Sequence, residues 1–160
     1  MKRGSTIFLQ AVILLLGVGV FVFLLWEPHL EGRNVNATLF EIYFKDPFLA
    51  YIYLASVPFF FGLYQGLKIL GYARRDEIFF QHSVRALQII KYCALTTAIF
   101  MLGVEAYLFI FIRGKDDIAG GVMIGVFVIL VSAIIATAAA VFERILQKAV
   151  AIKSENDLTV

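Results

Sequence analysis

Cysteine is nearly absent from this chain: Cys93 stands alone among 160 residues. One cysteine excludes an intrachain disulfide framework and cannot by itself build a zinc site. Charge is scarce as well. Asp, Glu, Lys and Arg make up 16% of the chain, where a soluble domain carries about 25%. No Walker loop, zinc-protease helix, nucleophile elbow or carboxylate pair at catalytic spacing is present. The expectation is therefore a protein that is not an enzyme and needs no cofactor. The formal charge of +2 says little about nucleic acid, and no direct contact with it is expected.

What the chain has in abundance is apolar surface. Hydrophobic residues make up 61%, with 16 Phe, and the mean hydropathy is +0.88. One soluble core of this size cannot hide that much apolar surface, whereas a bilayer removes the need. A spanning helix takes about 20 mostly apolar residues, and the chain has room for four. The spacing of charges predicts spans near residues 7–26, 48–70, 88–112 and 118–142, in one domain covering 1–160. The expected fold is an all-α integral membrane four-helix bundle in the lipid bilayer.

Each span carries its own marks. The first runs without a charge into Trp26, an interfacial anchor, and Pro28, a stop after the helix. Its length exceeds the apolar region of about 7–15 residues in a cleaved signal peptide, so it is expected to remain. The loop after it offers two weak features. Phe40, Ile42 and Phe44 alternate with Glu41, Tyr43 and Lys45, as in a short strand or a membrane-surface segment. Glu27, His29 and Glu31 alternate too, and on an extended segment would face one way, but one His and two acids make a weak metal signal and no metal site is expected. Asn36-Ala37-Thr38 matches a glycosylation sequon and is read as incidental.

The second span has Pro58 at its middle, and an interior proline frees a backbone carbonyl. Gly62 and Gly66 form a small-xxx-small pattern. The fourth span repeats small residues at Gly121, Gly125, Ser132, Ala136 and Ala140. In lipid, helices associate through close backbone approach. Depth along the helices predicts that Gly62–Gly66 meets Ser132–Ala136, with a homo-oligomer contact as the alternative.

Orientation follows from basic residues. The N-terminus, the polar bridge 73–91 with Lys68, and the C-terminal segment hold 2, 5 and 3 of them, against four in the other two loops. The positive-inside rule then places both termini and the bridge in the cytoplasm, and the localisation expected is a multi-pass protein of the bacterial plasma membrane. Ser83 reads as the N-cap of the third helix. Phe79, Phe80 and Arg85 form a candidate cytoplasmic partner surface, weighed against anchoring in the headgroup region. The fourth span is predicted to continue as a polar, cytoplasmic C-terminal helix at 143–153, followed by a frayed tail at 154–160.

One acid lies inside a span. Glu105 sits about seven residues from the far end of the third span, or about 10 Å at helical rise. An intramembrane acid is costly and is a functional candidate by default, here for proton or ligand sensing, weighed against a structural or peripheral role. Tyr51, Tyr53, Ser56 and Tyr107 are its candidate hydrogen-bond donors. Cys93, at the membrane edge, reads as an inert thiol and His82 as a solitary, solvated side chain.

Several stretches together resemble a known family. Phe61-Gly-Leu-Tyr-Gln-Gly-Leu-Lys68, Ser83-Val-Arg-Ala-Leu-Gln-Ile-Ile-Lys-Tyr-Cys93, Lys115-Asp-Asp117 and the ending Asp157-Leu-Thr-Val160 resemble the YoaS-like family of bacterial membrane proteins of unknown function, over nearly the whole chain. The resemblance implies four spans, a bacterial plasma membrane and a regulatory link to a cytoplasmic helix-turn-helix transcription regulator encoded nearby. It brings no catalytic residues, and it leads to an apolar residue or proline near position 105. Three functional classes emerge: a regulatory or sensory partner of that regulator, a small oligomeric transporter or channel, and a structural subunit of a membrane complex.

Overall fold

The computed structural model describes residues 3–30, 38–44, 47–114 and 118–158. Helix α1 spans Arg3–Leu30, the single-turn α2 Leu39–Phe44, α3 Pro47–Arg74, α4 Gln81–Tyr107 and α5 Ala119–Leu158. A π-helical turn, Leu108–Ile112, continues α4. No strand occurs among the described residues. Four helices are long and apolar enough to cross a membrane: Gly4–His29, Pro47–Arg74, Gln81–Ile112 and Ala119–Glu155. The all-α membrane fold expected from composition is the one found. Lipid offers no partner to a backbone N–H or C=O, so an apolar segment satisfies its own groups as a helix.

The helices pack in chain order, α1 on α3, α3 on α4 and α4 on α5. Each neighbour is antiparallel. Gly17 lies against Leu63 and Gly66 against Ile13; Tyr51 reaches Phe100 and Phe48 stacks on Tyr107; Lys91 meets Glu143 while Gly121 faces Leu108. The α4–α5 pair forms the most extensive interface, and α1 lies at the periphery with none of its central span buried. Large apolar side chains such as Leu15, Ile99, Ile110, Met123 and Phe127 point outward, where lipid replaces a protein core.

Helix boundaries differ from the sequence expectations for identifiable reasons. Pro28 does not stop α1; it lies fully buried inside it. Lacking an N–H, Pro28 leaves the carbonyl four residues earlier, Leu24, without its helical donor. The Tyr53 hydroxyl donates to that carbonyl at 3.1 Å. The neighbouring Leu25 carbonyl takes the Tyr43 hydroxyl at 3.0 Å. A proline near the helix end is thus tolerated because the Tyr53 hydroxyl supplies the one missing donor, and Tyr43 adds a further bond to the next carbonyl.

The alternation at Phe40–Phe44 is a helical turn, not a strand. A capping box decides it: the Thr38 N–H and hydroxyl donate to Glu41 Oε2 at 3.1 and 3.0 Å, and the Glu41 N–H donates to Thr38 Oγ1 at 3.3 Å. Helix α3 ends at a Schellman-type turn, with Asp76 at φ 58° and the Glu77 N–H bonded to the Tyr72 carbonyl at 2.9 Å. Ser83 is not a cap. Phe80 holds that position with extended backbone, and Ser83 is fully buried in the first turn of α4, its hydroxyl donating to the Glu77 carbonyl at 3.4 Å.

The polar helix expected at 143–153 continues the fourth span without a break. Helix α5 runs unbroken for 40 residues and carries the segment read as a frayed tail as far as Leu158. At helical rise this is about 60 Å, twice the hydrocarbon thickness of a bilayer. The small-residue faces of α3 and α5 do not meet as predicted, because α4 is the main neighbour of both. Gly62 faces the Cys93 Cβ and Gly66 faces Ile13. Gly62, Gly66 and Ser132 instead line one cavity of about 180 Å³ with Pro58, Cys93 and Thr97. Ala136 is buried on α5.

Candidate functional site

Glu105 lies on α4 where it faces α5. It is only 8% exposed, and both carboxyl oxygens are buried without a hydrogen-bond partner. The side chain has room because position 125 is glycine: a Cβ there would collide with Glu105 Oε1. Gly121, one turn along the same face, admits Leu108 in the same way, its absent Cβ 3.2 Å from the leucine Cδ1. The small residues of α5 therefore form a bed for α4, and one of them accommodates the acid.

None of the four expected donors reaches Glu105. Tyr51 donates to the Phe100 carbonyl at 3.0 Å, Tyr53 to Leu24, and Ser56 to the Tyr53 carbonyl at 2.7 Å. Tyr107 stacks on Phe48 with ring centroids 5.2 Å apart. The hydroxyls of Tyr51, Tyr53 and Ser56 are thus spent on helix carbonyls, the local acceptors that a span always offers. Beyond Glu105 the π turn closes with the Arg113 N–H on the Leu108 carbonyl at 2.9 Å. Such turns insert an extra residue, which rotates the rest of the helix, and they recur at functional sites.

A cavity of about 250 Å³ is lined by Val104 and Gly125, which flank the acid, though not by Glu105 itself. All four spanning helices line it, through Glu27 and Pro28 of α1, Phe48 and Ile52 of α3, Val104 and Leu108 of the α4 segment, and Gly121 and Gly125 of α5. Glu27 and His29 are helical, so two residues apart they point to different sides; Glu31 lies outside the described residues. No group of three or more metal-binding side chains occurs among the described residues.

At the bridge end the chemistry is different. Lys91 Nζ donates to Glu143 Oε2 at 2.7 Å, and Gln88 Nε2 and Gln147 Nε2 donate to Glu143 Oε1 at 2.9 and 3.3 Å. This polar knot joins α4 to α5 close to where the predicted spans end. Charge-assisted bonds in a partly buried setting are among the stronger ones. The sequence holds a signal for it that pattern reading misses: Lys91 and Glu143 are opposite charges at matching depth on consecutive antiparallel helices. Further out, Lys153 Nζ sits 3.9 Å from the centroid of the Phe80 ring, which itself stacks on His82. His82 is also 4.1 Å from the Tyr72 ring centroid. It is exposed but not solitary.

Phe79, Phe80 and Arg85 are all exposed at this end. Phe80 is tied to α5 through Lys153. Cys93 is half-buried between α3 and α4.

These features define a four-span, all-helical membrane protein with a sealed acid in one half and a polar clamp in the other. The chain belongs to the family described as "Protein of unknown function (DUF2975)", which matches residues 35–160. It is 40% identical over 162 residues to the "Uncharacterized membrane protein YoaS" of Bacillus subtilis (strain 168), with 100% of each chain covered. The YoaS-like resemblance seen in the sequence is thereby established. No solved structure matches the chain.

Proposed function

We propose that this protein is a non-enzymatic regulatory partner in the bacterial plasma membrane. Its bridge end faces the cytoplasm and binds a helix-turn-helix transcription regulator. The observation that carries the reading is the continuity of α5. Forty residues make one rod, and about half of its length of about 60 Å exceeds the hydrocarbon layer. The Lys91–Glu143 pair and the Lys153–Phe80 contact tie that rod to α4 and the bridge. A change within the membrane half thus has a stiff path to the exposed Phe79, Phe80 and Arg85. The charge count supports the orientation, with ten of 14 basic residues assigned to the bridge end.

The test is co-purification of the purified regulator encoded beside this gene with the detergent-solubilised protein. Binding is expected, and its loss in the combined Phe79→Ala, Phe80→Ala, Arg85→Ala variant. A failure to bind, together with substrate flux in liposomes that requires Glu105, would replace this reading with a transporter.

A further inference from the structure

Helix packing does not explain the carboxyl of Glu105, whose two oxygens are buried without a hydrogen-bond partner. A bare carboxylate in an apolar interior is so unfavourable that it is paired, ligated or protonated. The structure bears on each alternative. No cation of the described residues pairs with it: both oxygens are orphaned. No metal-binding cluster surrounds it among the described residues. Neither oxygen is open to water, and Gly125 presses close enough that even a methyl group there would collide. A hydrated ion or an organic cation does not fit beside these atoms. A proton does, because it needs no volume.

The surroundings of the acid are correspondingly poor in charge. The segment of α5 from Ala119 to Phe142 contains no titratable residue. On α3, Tyr51 faces α4 beside Gly103, and its hydroxyl is committed to the Phe100 carbonyl. On α1, Glu27 lines the cavity that Val104 and Gly125 border. On the α4 segment itself, Tyr107 stacks on Phe48, and Arg113 is exposed beyond the π turn.

We propose that Glu105 and Gly125 form a buried proton-binding site, in which the protonated acid lets α4 close on α5 and loss of the proton drives these helices apart in the half away from the bridge. The ionised form requires water or a counter-charge. The cavity bordered by Val104, Leu108, Gly121 and Gly125, two of which flank the acid, is the space from which water enters. The bridge half does not open, because Lys91, Gln88 and Gln147 hold Glu143 there. The movement is therefore a splaying about the clamp, whatever binds at the bridge end.

The experiment uses the full chain in lipid nanodiscs. Infrared spectra recorded from acid to alkaline pH should contain a protonated-carboxyl band that is absent in Glu105→Gln and displaced in Glu105→Asp. In a Cys93→Ser background, spin labels at the lipid-facing Ile110 and Met123, 71% and 77% exposed, should move apart as pH rises. Labels at Tyr92 and Phe142 should not. The Glu105→Gln protein should keep the short separation at every pH. The absence of a protonated band assignable to Glu105 at any pH overturns the site. So does a pH-driven separation that persists unchanged in Glu105→Gln. Should Glu105→Gln fail to insert, the band displacement in Glu105→Asp still decides whether this carboxyl holds the proton.

Discussion

The Tyr53 hydroxyl donates to the Leu24 carbonyl at 3.1 Å, and Leu24 is the residue whose carbonyl Pro28 deprives of its helical N–H. The contact fastens α1, a helix otherwise peripheral, to α3. Tyr53→Phe should destabilise the protein by about 0.5–2 kcal/mol, the range for a hydrogen bond between membrane helices. Pro28→Ala restores the intrahelical donor, so the same Tyr53→Phe change in that background should cost clearly less. A double-mutant cycle by unfolding in detergent measures the difference, and equal costs in both backgrounds would show that Pro28 is not the reason for the bond.

Gly125→Ala places a methyl group where Glu105 Oε1 lies. Overpacking of this kind costs about 1–3 kcal/mol. Adding Glu105→Ala should recover most of that loss, since shortening the acid vacates the space. Thermal unfolding of the single and double variants checks it. No recovery would mean that α5 approaches α4 through other atoms.

The Lys91–Glu143 pair predicts a charge-swap rescue. Lys91→Glu or Glu143→Lys alone sets like charges together and should speed backbone hydrogen exchange around residues 88–92 and 143–147. The double swap should restore protection. Removing Gln88 should matter less, because Lys91 and Gln147 still hold the carboxylate.

Asp76 lies in the left-handed region at φ 58°. Asp adopts it more readily than most residues, whereas a β-branched side chain resists it. Asp76→Val should destabilise the bridge by about 1–2 kcal/mol, while Asp76→Gly should be tolerated. Proteolysis between α3 and α4 gives the readout, with Asp76→Val cut faster.

Thr38→Ala removes one half of the capping box with Glu41. Loss of an N-cap costs about 1 kcal/mol, enough to unravel a helix of one turn. Faster amide exchange at Leu39–Phe44, with the long helices unaffected, is the expected result.

Much of the fold was legible because lipid imposes it. Long apolar runs without charge leave the backbone no alternative to helix, and the helical segments Gly4–His29, Pro47–Arg74, Gln81–Ile112 and Ala119–Glu155, long and apolar enough to cross a membrane, are each longer than the runs near 7–26, 48–70, 88–112 and 118–142. The errors cluster at helix ends, where local capping competes with pattern. Thr38-Leu-Phe-Glu41 carried a capping signature that the alternation of Phe40, Ile42 and Phe44 obscured. Ser83 had the composition of a cap, but its hydroxyl bonds the Glu77 carbonyl across the turn at Asp76 and Glu77, and the cap falls three residues earlier, at Phe80, with the helix starting at Gln81.

Glu105 could be singled out from sequence because a charge inside a span is conspicuous. Its surroundings could not, since Tyr51, Tyr53 and Ser56 had equally good acceptors in helix carbonyls nearby. Likewise the glycines of α3 and α5 were readable as packing residues, but not which helix each would touch. Small side chains permit close approach without choosing the neighbour.

By itself, then, the sequence determined an all-helical membrane protein with four spans, because hydrophobicity and backbone satisfaction are properties of each segment alone. Only the tertiary structure decided that α4 stands between α3 and α5, that Gly125 seals Glu105, and that Glu143 gathers Lys91, Gln88 and Gln147. Those are relations between segments, and they depend on rotation and depth of one helix against another, to which the apolar pattern of a lipid-facing helix is nearly blind.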